Sequence, residues 1–177
     1  MHTLTDLIAA LPGLARVSSE RPKRLDWDRL SRLMGTDLPQ DFMGLAEAFP
    51  SMEIGGFLRI WIPSEGGESE YAEAVQTELE TLQYLAEDGE SGGRVPYPAK
   101  GGLLPWGASL EGDVFYWRTN DPSPLSWSVT VGGANGSWWD VDCGLIEFVV
   151  GLINGTCDSG ELPPEAVTAE SSVVALA

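Results

Sequence analysis

The sequence predicts an α+β fold, a single domain in which a mainly antiparallel sheet is flanked by helices. Three observations carry this. Apolar residues recur at helical spacing in five segments. Aromatic and β-branched runs bounded by Gly, Pro and Asn cluster together instead of alternating with those helices, which argues against a doubly wound parallel sheet. The 177 residues, 43% of them hydrophobic, are enough for one core and would leave two cores thin.

Taken in order, Leu4, Leu7, Ile8 and Leu11 form a helical stripe that stops at Pro12 and Gly13. Trp27, Leu30, Leu33 and Met34 form the next, with Asp26 as N-cap and Gly35 as its stop. A third helix opens at Pro39 with Asp41 in its first turn, and Phe42, Leu45, Ala46 and Phe49 fall at i, i+3, i+4 and i+7. A strand is expected at 57–62, then a longer helix over 70–87 with Tyr71, Val75, Leu79, Leu82 and Leu85 inward. Strands follow at 113–118, 126–131 and 137–142, the last two joined by turn-forming residues 132–136 into an antiparallel hairpin. A last helix spans 144–153 and ends at Asn154 and Gly155. The expected organisation is a helical extension over 1–24, the α+β domain over 25–158 and a loosely ordered tail over 159–177, where Pro163 and Pro164 sit among Ala, Ser and Glu. The expected core includes Phe42, Leu45, Phe49, Trp61, Trp127, Phe148 and Leu152.

Composition excludes much chemistry. The one histidine, His2, sits near a terminus, which removes Ser-His-Asp and Cys-His triads, HExxH and His-rich zinc sites. Cys143 and Cys157 make no CxxC pair and are expected as free thiols, held roughly 15 Å apart by the ten-residue helix between them. None of the five Gly-Gly pairs belongs to GxGxxG or to a P-loop. No cofactor or metal is expected. Ten Lys plus Arg against 27 Asp plus Glu give a net charge of −17, which opposes binding to nucleic acid or to an anionic membrane and favours a basic protein partner. The start lacks a basic n-region, and the apolar run at 144–153 is too short to cross a membrane, so a cytoplasmic address is expected.

Residues 51–177 carry four of the basic residues and 20 of the acids. Within them, 65–90 holds nine carboxylates and no Lys or Arg, which reads as a solvated helix face. Two acid pairs fall at strand spacing, Glu111 with Asp113 and Asp140 with Asp142. Acid–base or metal chemistry on them is a minor reading, because such sites usually add a further acid and a lysine, and the lysines are Lys23 and Lys100. Strand alternation puts Trp139 and Val141 on one face and Trp138, Asp140 and Asp142 on the other. Trp138 is then either covered by a loop or helix of its own domain, or an exposed aromatic anchor beside carboxylates, suited to an Arg or Lys of a partner. Glu111, Asp113, Trp138, Asp140 and Asp142 are the candidate partner-binding residues.

The stretch LMGTDLPQDFMGLAEAFPSMEIGGFLRIW, 33–61, resembles the opening of the SUKH superfamily, the Smi/Knr-like proteins, where a helix starting at Leu-Pro-x-Asp/Glu-aromatic precedes a Gly-rich turn and a strand. LLPWGASLEGDVFYWRT, 103–119, resembles the family's second signature, and CGLIEFVVGLINGT its closing helix. The chain departs from the family at Phe49, Pro50 and Ser51, where Asn-Gly-Gly is common. The resemblance implies an α+β domain and a non-enzymatic role: bacterial members are mostly immunity proteins that neutralise polymorphic toxins, many of them nucleases, and fungal members act in cell-wall signalling. A regulatory or scaffold domain without a toxin partner is the alternative it leaves open.

Overall fold

The computed structural model describes residues 2–176. Five helices occur among them: α1 (Leu4–Ala10), α2 (Trp27–Met34), α3 (Gln40–Ala48), α4 (Glu68–Glu87) and α5 (Leu145–Asn154). Seven strands, β1 (Met52–Ile54), β2 (Leu58–Ile60), β3 (Leu103–Ser109), β4 (Val114–Arg118), β5 (Ser128–Gly132), β6 (Trp138–Val141) and β7 (Val173–Ala175), form one sheet. Its order is β6-β5-β4-β3-β2-β1-β7 with every neighbouring pair antiparallel, so the chain is a single α+β domain.

Local chemistry sets the ends of the helices. Thr3 and Asp6 form a reciprocal capping box on α1. The Asp26 carboxylate accepts the Arg29 N–H at 2.9 Å to open α2, and Gly35, at φ 73°, closes it in the left-handed region. Asp41 serves two helices: one carboxylate oxygen accepts the N–H of Phe42 at 2.8 Å, and the other accepts that of Ile146, in the first turn of α5, at 3.3 Å. That second bond ties α3 to α5 across most of the sequence.

The main core lies on one sheet face. Leu104, Trp106, Phe115, Trp117, Val129 and Val131 meet Leu7, Phe42, Leu45, Phe148 and Val149 from α1, α3 and α5. Aromatic rings fill its centre: Phe42 meets Trp117 edge-on at 5.0 Å, and Trp106 stacks on Phe115 at 5.2 Å and meets Phe148 at 6.2 Å. A bulge helps to build this centre. Alternation puts Leu104 and Trp106 on the core face, and the β3–β4 register slips between Pro105 and Gly107, leaving Trp106 as the extra residue and Gly107 opposite Phe115. On the opposite face a smaller cluster joins Leu82 of α4 to Leu103 and Tyr116.

The organisation along the chain differs from the expected one at both ends. The expected helical extension over 1–24 is helical at Leu4–Ala10 and Pro12–Arg16 but belongs to the core of the domain, with Leu7, Leu11 and Leu14 at most 1% exposed. The expected loose tail over 159–177, of which Ala177 lies outside the described residues, is instead held along 159–176: Leu162, Val167 and Val173 are buried, and β7 extends the sheet as the outer neighbour of β1. Its apolar residues are widely spaced and bury singly, so neither the helical nor the strand period marks them. Trp61 and Leu152 are only partly buried, whereas Phe42, Leu45, Phe49, Trp127 and Phe148 lie in the core. Strands β1 and β3, absent from the sequence expectation, complete the sheet's centre and one side.

Candidate functional site

Of the five candidate partner-binding residues, the structure brings Trp138 and Asp140 together. The Trp138 ring stacks on Tyr116 at 5.9 Å, and its indole N–H donates to the Glu90 carbonyl at 3.0 Å. The Arg94 guanidinium lies 5.5 Å from the ring centre. A Cβ added at Gly132 would come within 2.7 Å of this ring, and one at Gly92 within 3.0 Å, so both glycines are needed for the close approach. Trp138 therefore anchors its own domain's 90–94 loop onto the sheet, the first of the two readings open from sequence.

Asp140 is similarly engaged. It accepts the Thr130 hydroxyl at 2.7 Å and pairs with Arg94 at 3.3 Å and Arg118 at 3.2 Å. Burial opposes its ionisation, but Thr130 and the two guanidinium groups outweigh that and hold its carboxyl below the usual carboxylate range. What strand alternation presents as an acidic face is thus locally balanced by two of the ten basic residues.

The other three candidates lie elsewhere. Asp113 is buried and shares the sheet face of Phe115 and Trp117, opposite Asp140. Its carboxylate accepts the Ser109 hydroxyl and, at 2.9 Å, the Ala134 N–H, pinning the β3–β4 turn to the β5–β6 turn. Glu111 is exposed in the first of these turns. Asp142 lies past the end of β6 and lines a cavity with Cys143, Glu147 and Cys157. The five residues do not form one patch.

The two thiols are free, but the helix between them is not a spacer. The chain folds back after Gly155 so that Cys157 packs on Gly151, and both cysteines line the same cavity. Burial above all pushes the Cys143 thiol up to about 12, aided by Glu147, Cys157, Asp142 and Asp41. The native state then keeps a proton that the unfolded chain loses from about pH 9, so this group's contribution to stability falls as pH rises from about 9 toward 12. Cys143→Ala is accordingly expected to lose less stability than wild type between about pH 9 and 11. Urea titrations of both proteins at the two pH values measure this, and parallel losses would refute it.

A further feature escaped the sequence reading. Two cavities of about 380 and 370 Å³ meet at Gln40, Pro124 and Leu125, where α2 and α3 face the loop before β5. Leu125, on the short 3-10 turn Pro124–Ser126, stands between them and is 67% exposed. The one signal available was an isolated Leu after Pro122 and Pro124, inside a stretch that reads as a loop.

Charge elsewhere is left unbalanced. Side-chain ion pairs between described residues join Arg21 to Glu65, Arg59 to Glu53, and Arg94 and Arg118 to Asp140. On α4 the exposed Glu70, Glu73, Glu80 and Glu87 form no ion pair. Among the described residues no cluster of three or more His, Cys, Asp or Glu could hold a metal, and no helix is long and apolar enough to cross a membrane. Compared with protein-family models, curated proteins and solved structures, the chain matches none of them.

Proposed function

We propose that this chain is a non-enzymatic binding domain for a basic protein and, in its specific form, a cytoplasmic immunity protein of the Smi/Knr-like type that neutralises a cognate polymorphic toxin, a nuclease being the best fit. The observation that carries this is the uncompensated charge: −17 overall, with the outer glutamates of α4 exposed and unpaired. A field of that sign raises the encounter rate with a cationic surface and disfavours nucleic acid. A nuclease toxin presents such a surface to its substrate's phosphates, and an acidic inhibitor seated there excludes them.

The protein encoded by the adjacent reading frame is the partner to test. Co-expression is expected to relieve its toxicity, and the association rate is expected to fall by roughly tenfold or more between low and high salt. Unrelieved toxicity removes the immunity reading and leaves the regulatory or scaffold alternative. An acidic partner, or association unaffected by salt, removes the basic-partner reading as well.

A further inference from the structure

The twin cavities beside Leu125 differ from the rest of the acidic surface in combining concavity, apolar lining and one sign of charge. Trp27 and Met43 line one cavity, Trp117 and Trp127 line the other, and among the described residues no Lys or Arg lines either. Asp28 and Asp37, on the rim of the first, are exposed and form no ion pair with a described residue, Asp37 accepting the Ser31 hydroxyl at 2.6 Å. Two of the indole N–H groups are already satisfied, that of Trp27 by Glu47 at 2.8 Å and that of Trp127 by the Asp121 carbonyl at 2.8 Å. The half-buried Trp27 ring therefore offers apolar surface and π-electrons without an unmet donor, Trp127 adds an almost fully buried apolar wall, and the Trp117 indole N–H behind it has no hydrogen-bond partner among the described residues.

We propose that this groove is the docking seat for the basic partner, taking an extended segment in which Lys or Arg alternates with apolar residues; this rests on the reading of the chain as a domain that binds a basic protein. The apolar side chains and the methylene stems of the cations cover Leu125 and Met43, and the charged heads lie against the Trp27 face and beside Asp28 and Asp37. Alternative seats are poorer. The sheet face around Trp138 already holds Arg94 and Arg118. The cavity between α2 and α4 has Arg32 in its wall. The α4 glutamates sit on a convex helix face, where charge steers an encounter more than it holds a complex.

The probes are a decapeptide of alternating Lys and Leu and its Glu and Leu counterpart, titrated into the full chain and followed by amide and indole NMR shifts. The Lys peptide is expected to move the indole N–H signals of Trp27 and Trp127 and the side-chain amide of Gln40. Leu125→Lys, and Asp28→Asn with Asp37→Asn, are each expected to weaken it by about tenfold or more. Because these three side chains are exposed, the substitutions leave the core intact. Glu70→Gln, Glu73→Gln, Glu80→Gln and Glu87→Gln combined are expected to weaken it by less than about threefold. If the α4 variant loses binding while the groove variants keep it, this seat is wrong and the basic-partner reading stands. If the Glu peptide binds as tightly as the Lys peptide, the groove does not select for cations and the proposal falls. No binding of the Lys peptide overturns the seat, while the adjacent-frame experiment judges the basic-partner reading separately.

Discussion

Replacing Phe42 by alanine is expected to lower the unfolding free energy by about 4 kcal/mol, the middle of the range of about 3 to 5 kcal/mol for removing a buried aromatic ring. The ring is fully buried and touches two separate parts of the fold, and its helix reaches a third. It meets Trp117 of β4 edge-on at 5.0 Å and Tyr71 of α4 at 6.3 Å, and its helix carries Asp41, whose carboxylate caps α5. The aromatic neighbours are large and mutually wedged, so the cavity cannot easily collapse, and the cost is the lost transfer energy plus the void. With a urea dependence of about 2 kcal/mol per molar, the midpoint is expected to move down by about 2 M. An unchanged midpoint would show that α3 does not present Phe42 to the sheet.

Gly107→Ala is expected to cost about 2 to 3 kcal/mol, although it adds a single methyl group. A Cβ at this position would lie 2.4 Å from the backbone carbonyl oxygen of Arg59 on the neighbouring strand, which cannot rotate away as a side chain could. The residue follows the bulge at Trp106, so relief of the clash would push β2 and β3 apart beside that fully buried ring. Gly44→Ala is the matched control. Its Cβ would meet nothing within 4 Å, and in the middle of α3 it is expected to stabilise by about 0.5 to 1 kcal/mol. Thermal or urea unfolding of the two variants tests the pair, and equal effects of the same sign would contradict the strand spacing.

The sequence was most legible where one periodicity ran unbroken and ended at a residue with a mechanism. The helix at 27–34 shows this, with Asp26 and Gly35 at its ends, and so does the α5 stop at Gly155. The alternation of Trp127, Val129 and Val131 correctly marks the side of β5 that joins the main core, although Ser128 and Thr130 on its other side are buried too. Three-residue strands such as β1 and β7 are shorter than any reliable period, so they were invisible. At the candidate site, alternation correctly put Trp138 and Asp140 on one face. It could not show that Arg94, 46 residues earlier in the chain, comes back to lie over both. Asp113 was misread for a related reason: an acid near a strand's start looks solvent-facing until the Ser109 hydroxyl and the Ala134 N–H are seen to claim it. Pairings between remote segments leave no local signature.

The place of β7 has a consequence in time. Strand β1 is bounded on one side by β2, its immediate successor, and on the other by residues 173–175. A ribosome adding 5 to 20 residues per second needs roughly 6 to 24 s to travel from one to the other. For that interval the outer edge of β1 offers unmatched N–H and C=O groups to whatever is nearby, including another nascent copy. Its three-residue length and the charge on Glu53 limit what such an edge can recruit. A chain cut before residue 173 would keep that edge open for good, so its first expected symptom is self-association at high concentration, with helix content little changed.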